Sequence, residues 1–189
     1  AAWIDSFGGP PTAIARAGNV IGGGDYGYER LIPDIVRSVQ AQEPLELRYP
    51  DAVRPWQHVL DCLAGYLTVV NHLISGGGRE GVNAWNVGPE PTEVATVSEV
   101  VDQTFRCLGK APRWKVKATP TLGENPWLSL DSELIRSDLG WRDILDLETS
   151  ISWTARWYQR VSTGQSPKTV SIQQVTQFLE LTKSVFHEG

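Results

Sequence analysis

Two stretches of this chain carry residue types that could do chemistry. The first is Arg16-Ala17-Gly18-Asn19-Val20-Ile21-Gly22-Gly23-Gly24-Asp25, whose consecutive glycine N–H groups could ring an anion. It is no Walker loop, because no Lys-Ser/Thr follows. Nor is it a GxGxxG dinucleotide fingerprint, because no helix opens directly after it. A plain strand-to-helix turn is the competing reading. The second stretch is Asp51-Ala52-Val53-Arg54-Pro55-Trp56-Gln57-His58-Val59-Leu60-Asp61. Here Arg54 stands before a rigid proline and a helix start, where a guanidinium can clamp a diphosphate bidentately. The plainer reading makes Arg54 a surface charge, Trp56 core and Asp61 a first-turn acid. His58 reads as a hydrogen bonder at the helix start rather than a catalyst. The three histidines have no metal-site spacing, and none of the five tyrosines has a lysine four residues on.

The elements that must position these residues alternate between strand and helix early and turn helical late. Thr12 to Val20 is short and apolar enough for a buried strand, and Gly8-Gly9-Pro10-Pro11 stops the helical-looking Ala1 to Phe7 before it. Arg30 to Gln42 has helical spacing, with Pro33 tolerated in the first turn. Leu45 to Tyr49 alternates as a strand does. His58 to Ser75 predicts the strongest helix, with Leu60, Leu63, Ala64, Leu67, Val70 and Ile74 as its apolar face. Ala84 to Val87 is a short strand. Thr96-Val97-Ser98-Glu99 is a capping box, and Arg113 to Ala118 alternates as a further strand. Asp131 to Leu139, Asp146 to about Val161 and Ile172 to Val185 complete the helices. The pattern is mixed α/β: the last strands of a Rossmann-type parallel sheet followed by a mostly helical lobe, together an incomplete domain.

Composition narrows the function classes. The 189 residues carry a net charge of −5, so wholesale nucleic-acid or anionic-membrane binding is not expected. No apolar run is long enough for a transmembrane helix. Cys62 and Cys107 form neither a disulfide framework nor a metal-ligand spacing, which fits a reducing, cytoplasmic setting. Eight tryptophans are unusually many and read mostly as core: Trp141, Trp153 and Trp157 in the helical lobe, Trp56 and Trp85 beside strands. Trp127 is the one that could also lie near a ligand. There is no methionine, and the chain reads as a piece of something longer.

ARAGNVIGGGD, RLIPDIVR, DAVRPWQHVLDCLAGYL and AWNVGP, in this order, closely resemble the CDP-glucose 4,6-dehydratases. These are a branch of the extended short-chain dehydrogenase/reductase family of nucleotide-sugar-modifying enzymes. SDLGWRDILDLETSISWTARWY resembles the family's C-terminal lobe, and SIQQVTQFLE its tail helix. The resemblance implies residues 1–189 to be the C-terminal part of such an enzyme. The NAD-binding half, the Tyr-x-x-x-Lys pair and the acid–base carboxylates would lie upstream, so no catalytic residue is assigned here. It implies NAD as cofactor, held chiefly by that absent half, with Gly18, Asn19 and Val20 facing its nicotinamide end. The substrate would be CDP-glucose or a related nucleotide sugar. C4 of the glucose would be oxidised, water would leave across C5 and C6, and the hydride would return to C6.

By the same resemblance Asn19 and Arg54 would hold the diphosphate. Arg30, Leu31 and Ile32 would sit beside base and ribose, Glu46 and Arg48 would edge the base, and Glu124 with Asn125 would close a loop over the nucleotide. No metal is implied, and the intact protein would be a homo-oligomer. Two rivals stand beside this reading. One is a dehydratase or epimerase of a dTDP-, GDP- or UDP-linked sugar. The other is a non-catalytic nucleotide-sugar-binding or interaction module.

Overall fold

The computed structural model describes residues 11–77, 83–91, 94–117 and 125–187, with side chains through 184. In chain order the elements are β1 (Ala13–Ala17), β2 (Asn19–Ile21), α1 (Leu31–Ala41), β3 (Leu45–Leu47), β4 (Val53–Arg54), β5 (Trp56–His58), α2 (Val59–Ile74), β6 (Asn83–Val87), β7 (Ala95–Thr96), α3 (Val97–Cys107), β8 (Trp114–Val116), α4 (Glu133–Leu139), α5 (Leu147–Ser162) and α6 (Pro167–His187).

The apolar stretch at the start forms two strands rather than one. β1 runs parallel to β6, from Ala13 opposite Asn83 to Ala17 opposite Val87, whereas β2 runs parallel to β5, Asn19 opposite Trp56. The partner changes at Gly18. A Cβ there would lie 2.5 Å from the Pro55 carbonyl oxygen, and that same oxygen accepts the Asn19 N–H at 2.8 Å. Only a residue without a side chain lets the two backbones approach so closely. β3 pairs in parallel with β8, Leu45 opposite Trp114, and the two-residue β4 pairs antiparallel with β7. Parallel partners require long crossovers, and helices supply them, as α1 does between β2 and β5.

Local chemistry sets the helix ends. Thr96 caps α3 with its side chain and Glu99 answers, a complete capping box; Asp146 caps α5 through the Thr149 N–H. α6 begins at Pro167, five residues before the start predicted from its sequence pattern. Proline at a helix start loses no hydrogen bond the helix would have made.

Two larger clusters make most of the core. One joins α1, α3 and α5 through Ile35, Val101, Phe105, Ile151 and Trp157, with Trp56 of β5. The other lies on β6, where Trp85 and Val87 meet Val69, Ile135 and Trp141. Here α2 departs from its sequence-predicted orientation. It buries Asp61, Cys62, Gly65 and Val69; of the predicted face Leu60 and Ala64 pack against Leu145, Trp153 and Phe178, while Leu67 is 68% and Ile74 80% exposed and Leu63 and Val70 are also exposed. Close approach decides this: a Cβ on Gly65 would overlap Val87, so the small face, not the large apolar one, meets the sheet. Trp127 also differs from expectation. It is 56% exposed beside Val53, neither in the core nor lining the cleft described below.

Candidate functional site

Where β2 ends, the chain turns through Gly22-Gly23-Gly24 and opens one wall of a cleft of about 790 Å³. That is the size of a small-molecule site, and it sits at the carboxyl end of a parallel strand, where α/β sheets place their ligands. β2 contributes Asn19 and Val20; the first turn of α1 contributes Arg30, Leu31 and Ile32; β3 and the residue after it contribute Glu46 and Arg48; β4 contributes Arg54. Eight residues singled out in the sequence thus face one space. Gly18 is not on its lining, being pressed against Pro55. Glu124 lies outside the described residues.

Arg54 is only 6% exposed, yet it lines the cleft and donates to the Val53 carbonyl at 2.7 Å. Its strand neighbours are held from behind by a buried polar row. Trp56 Nε1 donates to the Ala95 carbonyl at 3.1 Å, and Gln57 Nε2 to the Val87 carbonyl at 2.7 Å. His58 caps α2, its Nδ1 accepting from the Leu60 N–H, with its ring edge-on to Trp153. Burial pushes the His58 imidazole down to about 4, so it is neutral and acts as a cap. Asp61, 1% exposed, accepts from the Ile144 and Leu145 N–H groups at 2.8 and 3.3 Å, tying α2 to the segment that leads into α5.

Charges on the cleft wall balance locally. Asp25 pairs with Arg30 at 3.1 Å and accepts the Gly27 N–H at 2.9 Å. Burial raises its pKa, but Gly27, Arg30 and Arg37 outweigh that and hold the carboxyl below its ordinary value. Asp34 pairs with Arg37, and Glu46 with Lys115 at 3.0 Å, which keeps the Glu46 carboxyl low as well. Three of the cleft's acids are thus already paired, so an anion entering beside Arg30, Arg48 and Arg54 does not meet a row of bare carboxylates. Sequence reasoning missed Lys117, Tyr49 and the wall-forming roles of Asp25 and Glu29. Lys117 was detectable only through pairing: its N–H donates to the Leu47 carbonyl at 2.8 Å, extending the β3–β8 ladder to the cleft. Among the described residues no cluster of His, Cys, Asp or Glu could hold a metal ion, and no helix is long and apolar enough to cross a membrane.

The glycine run has a packing reason. A Cβ on Gly22 would lie 2.5 Å from Val59 Cγ1, and one on Gly23 would overlap the Trp157 indole. The resemblance assigns the NAD-facing role to Gly18, Asn19 and Val20, and two of these line the cleft. Val20 is exposed at the cleft and Asn19 presents an amide there, but the chain has no glycine fingerprint for a pyrophosphate.

The sequence profile of the NAD dependent epimerase/dehydratase family matches residues 1–88. CDP-glucose 4,6-dehydratase of Salmonella typhimurium is 33% identical over 170 residues, covering 90% of this chain and 47% of the relative. A dTDP-glucose 4,6-dehydratase of Streptomyces venezuelae, solved with NAD bound, is 25% identical with a TM-score of 0.70, over 88% of this chain and 49% of that one. The fold is shared with a UDP-glucose 4-epimerase of Stenotrophomonas maltophila at 16% identity and a TM-score of 0.71, over 87% of this chain and 52% of that one. The chain spans about half the length of the curated relatives it matches. In its short parallel strand pairs, its helical crossovers and these matches, the chain is similar to the NAD-dependent epimerase/dehydratase family.

Proposed function

We propose that this chain is the substrate-gripping part of an NAD-dependent CDP-glucose 4,6-dehydratase, converting CDP-glucose to CDP-4-keto-6-deoxyglucose and water. One observation carries the reading. Arg54, almost fully buried, lines the same cleft as Asn19, which stands on the strand paired with the residues that follow Arg54. A diphosphate is matched by a guanidinium and an amide without a metal. The mostly apolar Leu31–Ile32 wall and the β3 end would take ribose and base. Cytosine's amino group and ring acceptors suit an edge carrying both Glu46 and Arg48.

NAD supplies a hydride acceptor when bound, and Asn19 and Val20 would face its nicotinamide end. No residue of this chain is assigned a proton-transfer role. Two facts favour CDP over other nucleotides: the 33% identity to a CDP-glucose dehydratase and the RPWQHV stretch that carries Arg54. Titration of the intact protein with CDP, UDP, dTDP and GDP, followed by assay with the matching glucose conjugates, tests this. CDP should bind tightest and CDP-glucose should yield the 4-keto product. Tighter dTDP binding would move the protein to the other dehydratase branch, and no binding of any would overturn the nucleotide-sugar reading and leave an interaction module.

A further inference from the structure

The loop from Gly22 to Arg30 forms one wall of the cleft, yet little of what holds it is local. Tyr158 on α5 is 133 residues away from Asp25 in sequence, and its hydroxyl donates to the Asp25 carbonyl at 2.6 Å. The neighbouring Trp157 fills the space that Gly23 leaves open, and its Nε1 donates to Ser171 Oγ of α6 at 2.9 Å. Tyr26 closes the cluster, edge-on to both Trp157 and Tyr158 at 6.4 and 6.0 Å. From the other side Arg37 of α1 donates to the carbonyls of Tyr26 and Gly27 and stacks on the Tyr28 ring.

This grip ends at the cleft. Asp25, held through its carbonyl by Tyr158, uses its carboxylate on the Gly27 N–H and on Arg30. Arg30 in turn is the residue that opens α1 on the cleft wall, preceded by Glu29 with a left-handed φ of 57°. A non-glycine residue takes that conformation only where the surroundings hold it there. The chain of contacts runs from α6 through Trp157 and Tyr158 to Asp25, and from Asp25 to Arg30.

We propose that Tyr158 is a positioning residue of the cleft: it latches the Gly22–Arg30 loop to α5 and, through Asp25, sets where Arg30 stands against a bound nucleotide sugar. The inference rests on the nucleotide-sugar reading for the identity of the ligand. Burial raises the phenol to about 12, so the hydroxyl keeps its proton and remains a donor throughout the working range. A helix that served only to pack the lobe would need the Tyr158 ring and not its hydroxyl.

Tyr158→Phe separates the two roles, because it keeps the ring against Tyr26 and Trp157 and deletes only the donor. In the intact protein, CDP affinity measured by calorimetry should fall about three- to ten-fold in Tyr158→Phe, the scale of one lost hydrogen bond. Amide hydrogen exchange across residues 22–30 should quicken while exchange in α3 stays as in wild type. Asp25→Asn, which breaks the Arg30 link, should weaken CDP binding similarly, and the double variant should lose little more than either alone. Equal CDP affinity in wild type and Tyr158→Phe would overturn the positioning role, as would unchanged exchange in the loop. Absence of CDP, UDP and dTDP binding in the wild type would instead overturn the functional reading, with loop exchange still deciding whether the latch exists.

Discussion

Gly23 and Trp157 share one volume: the indole occupies the place where any side chain on Gly23 would begin, against the ring's Cγ, Cδ1 and Cδ2. The glycine run that looks like an anion cradle in the sequence is at this position a seat for a tryptophan from α5. Those ring atoms lie close to the backbone and cannot swing aside as the tip of a long side chain would.

Gly23→Ala should therefore overpack the contact and destabilise the fold by about 1–3 kcal/mol. Urea melts of wild type and variant measure it. An unchanged midpoint would mean that the loop, and not the indole, yields. Trp157→Ala combined with Gly23→Ala should lose little more than Trp157→Ala alone, because the ring atoms that overlap are then gone.

On the proposed function Arg54 holds the diphosphate, and a charge-assisted pair contributes roughly 1.5–3 kcal/mol. Arg54→Ala in the intact protein should weaken CDP-glucose binding about 10- to 150-fold. Arg54→Lys should restore only part, since an ammonium keeps the charge and loses the planar fork. NAD affinity should change little. Equal CDP dissociation constants for wild type and Arg54→Ala would remove the residue from the site.

His58 makes stability depend on pH. Its imidazole sits at about 4 in the folded chain because burial disfavours the charged form, against about 6.5 unfolded. The unfolded chain therefore binds the extra proton first on acidification. The contribution is fully present above about pH 6.5 and is lost progressively between there and about pH 4, reaching about 3 kcal/mol. His58→Asn keeps an N-cap acceptor for the Leu60 N–H and removes the titration. Melts from pH 7.5 down to 4.5 should show a shallower decline in the variant, and parallel curves would assign the pH dependence elsewhere.

Asp61 holds α2 to the Ile144–Leu145 segment from within the core. Asp61→Ala leaves two buried N–H groups without that acceptor and should cost about 2–4 kcal/mol. Asp61→Asn keeps one acceptor oxygen and should cost less. Chemical denaturation ranks the three proteins, and a loss in Asp61→Ala no larger than in Asp61→Asn would show that the carboxylate is not the tie.

Much of the fold is decided locally and is legible in the sequence for that reason. Thr96 and Glu99 are three residues apart, and their reciprocal cap needs nothing beyond the first turn of α3. Asp146 caps α5 in the same way, and the alternation in Leu45–Leu47 already shows which side chains face inward. Asn19, Arg30 and Arg54, singled out by the resemblance, line one cleft: Asn19 opens β2, Arg30 precedes α1 and Arg54 ends β4. The tertiary structure alone decided what meets across long separations. It turned Leu63, Leu67, Val70 and Ile74 of α2 outward while Leu60 and Ala64 stay packed, because Gly65 lets the helix approach Val87 more closely than a leucine face could. It also made Asp61 a tie to residues 83 and 84 positions away and gave the Gly22–Arg30 loop its anchor on Tyr158. Capping and alternation depend on neighbours along the chain and can be read there. Close packing and the pairing of buried donors with acceptors depend on which surfaces come together, and only the folded chain specifies that.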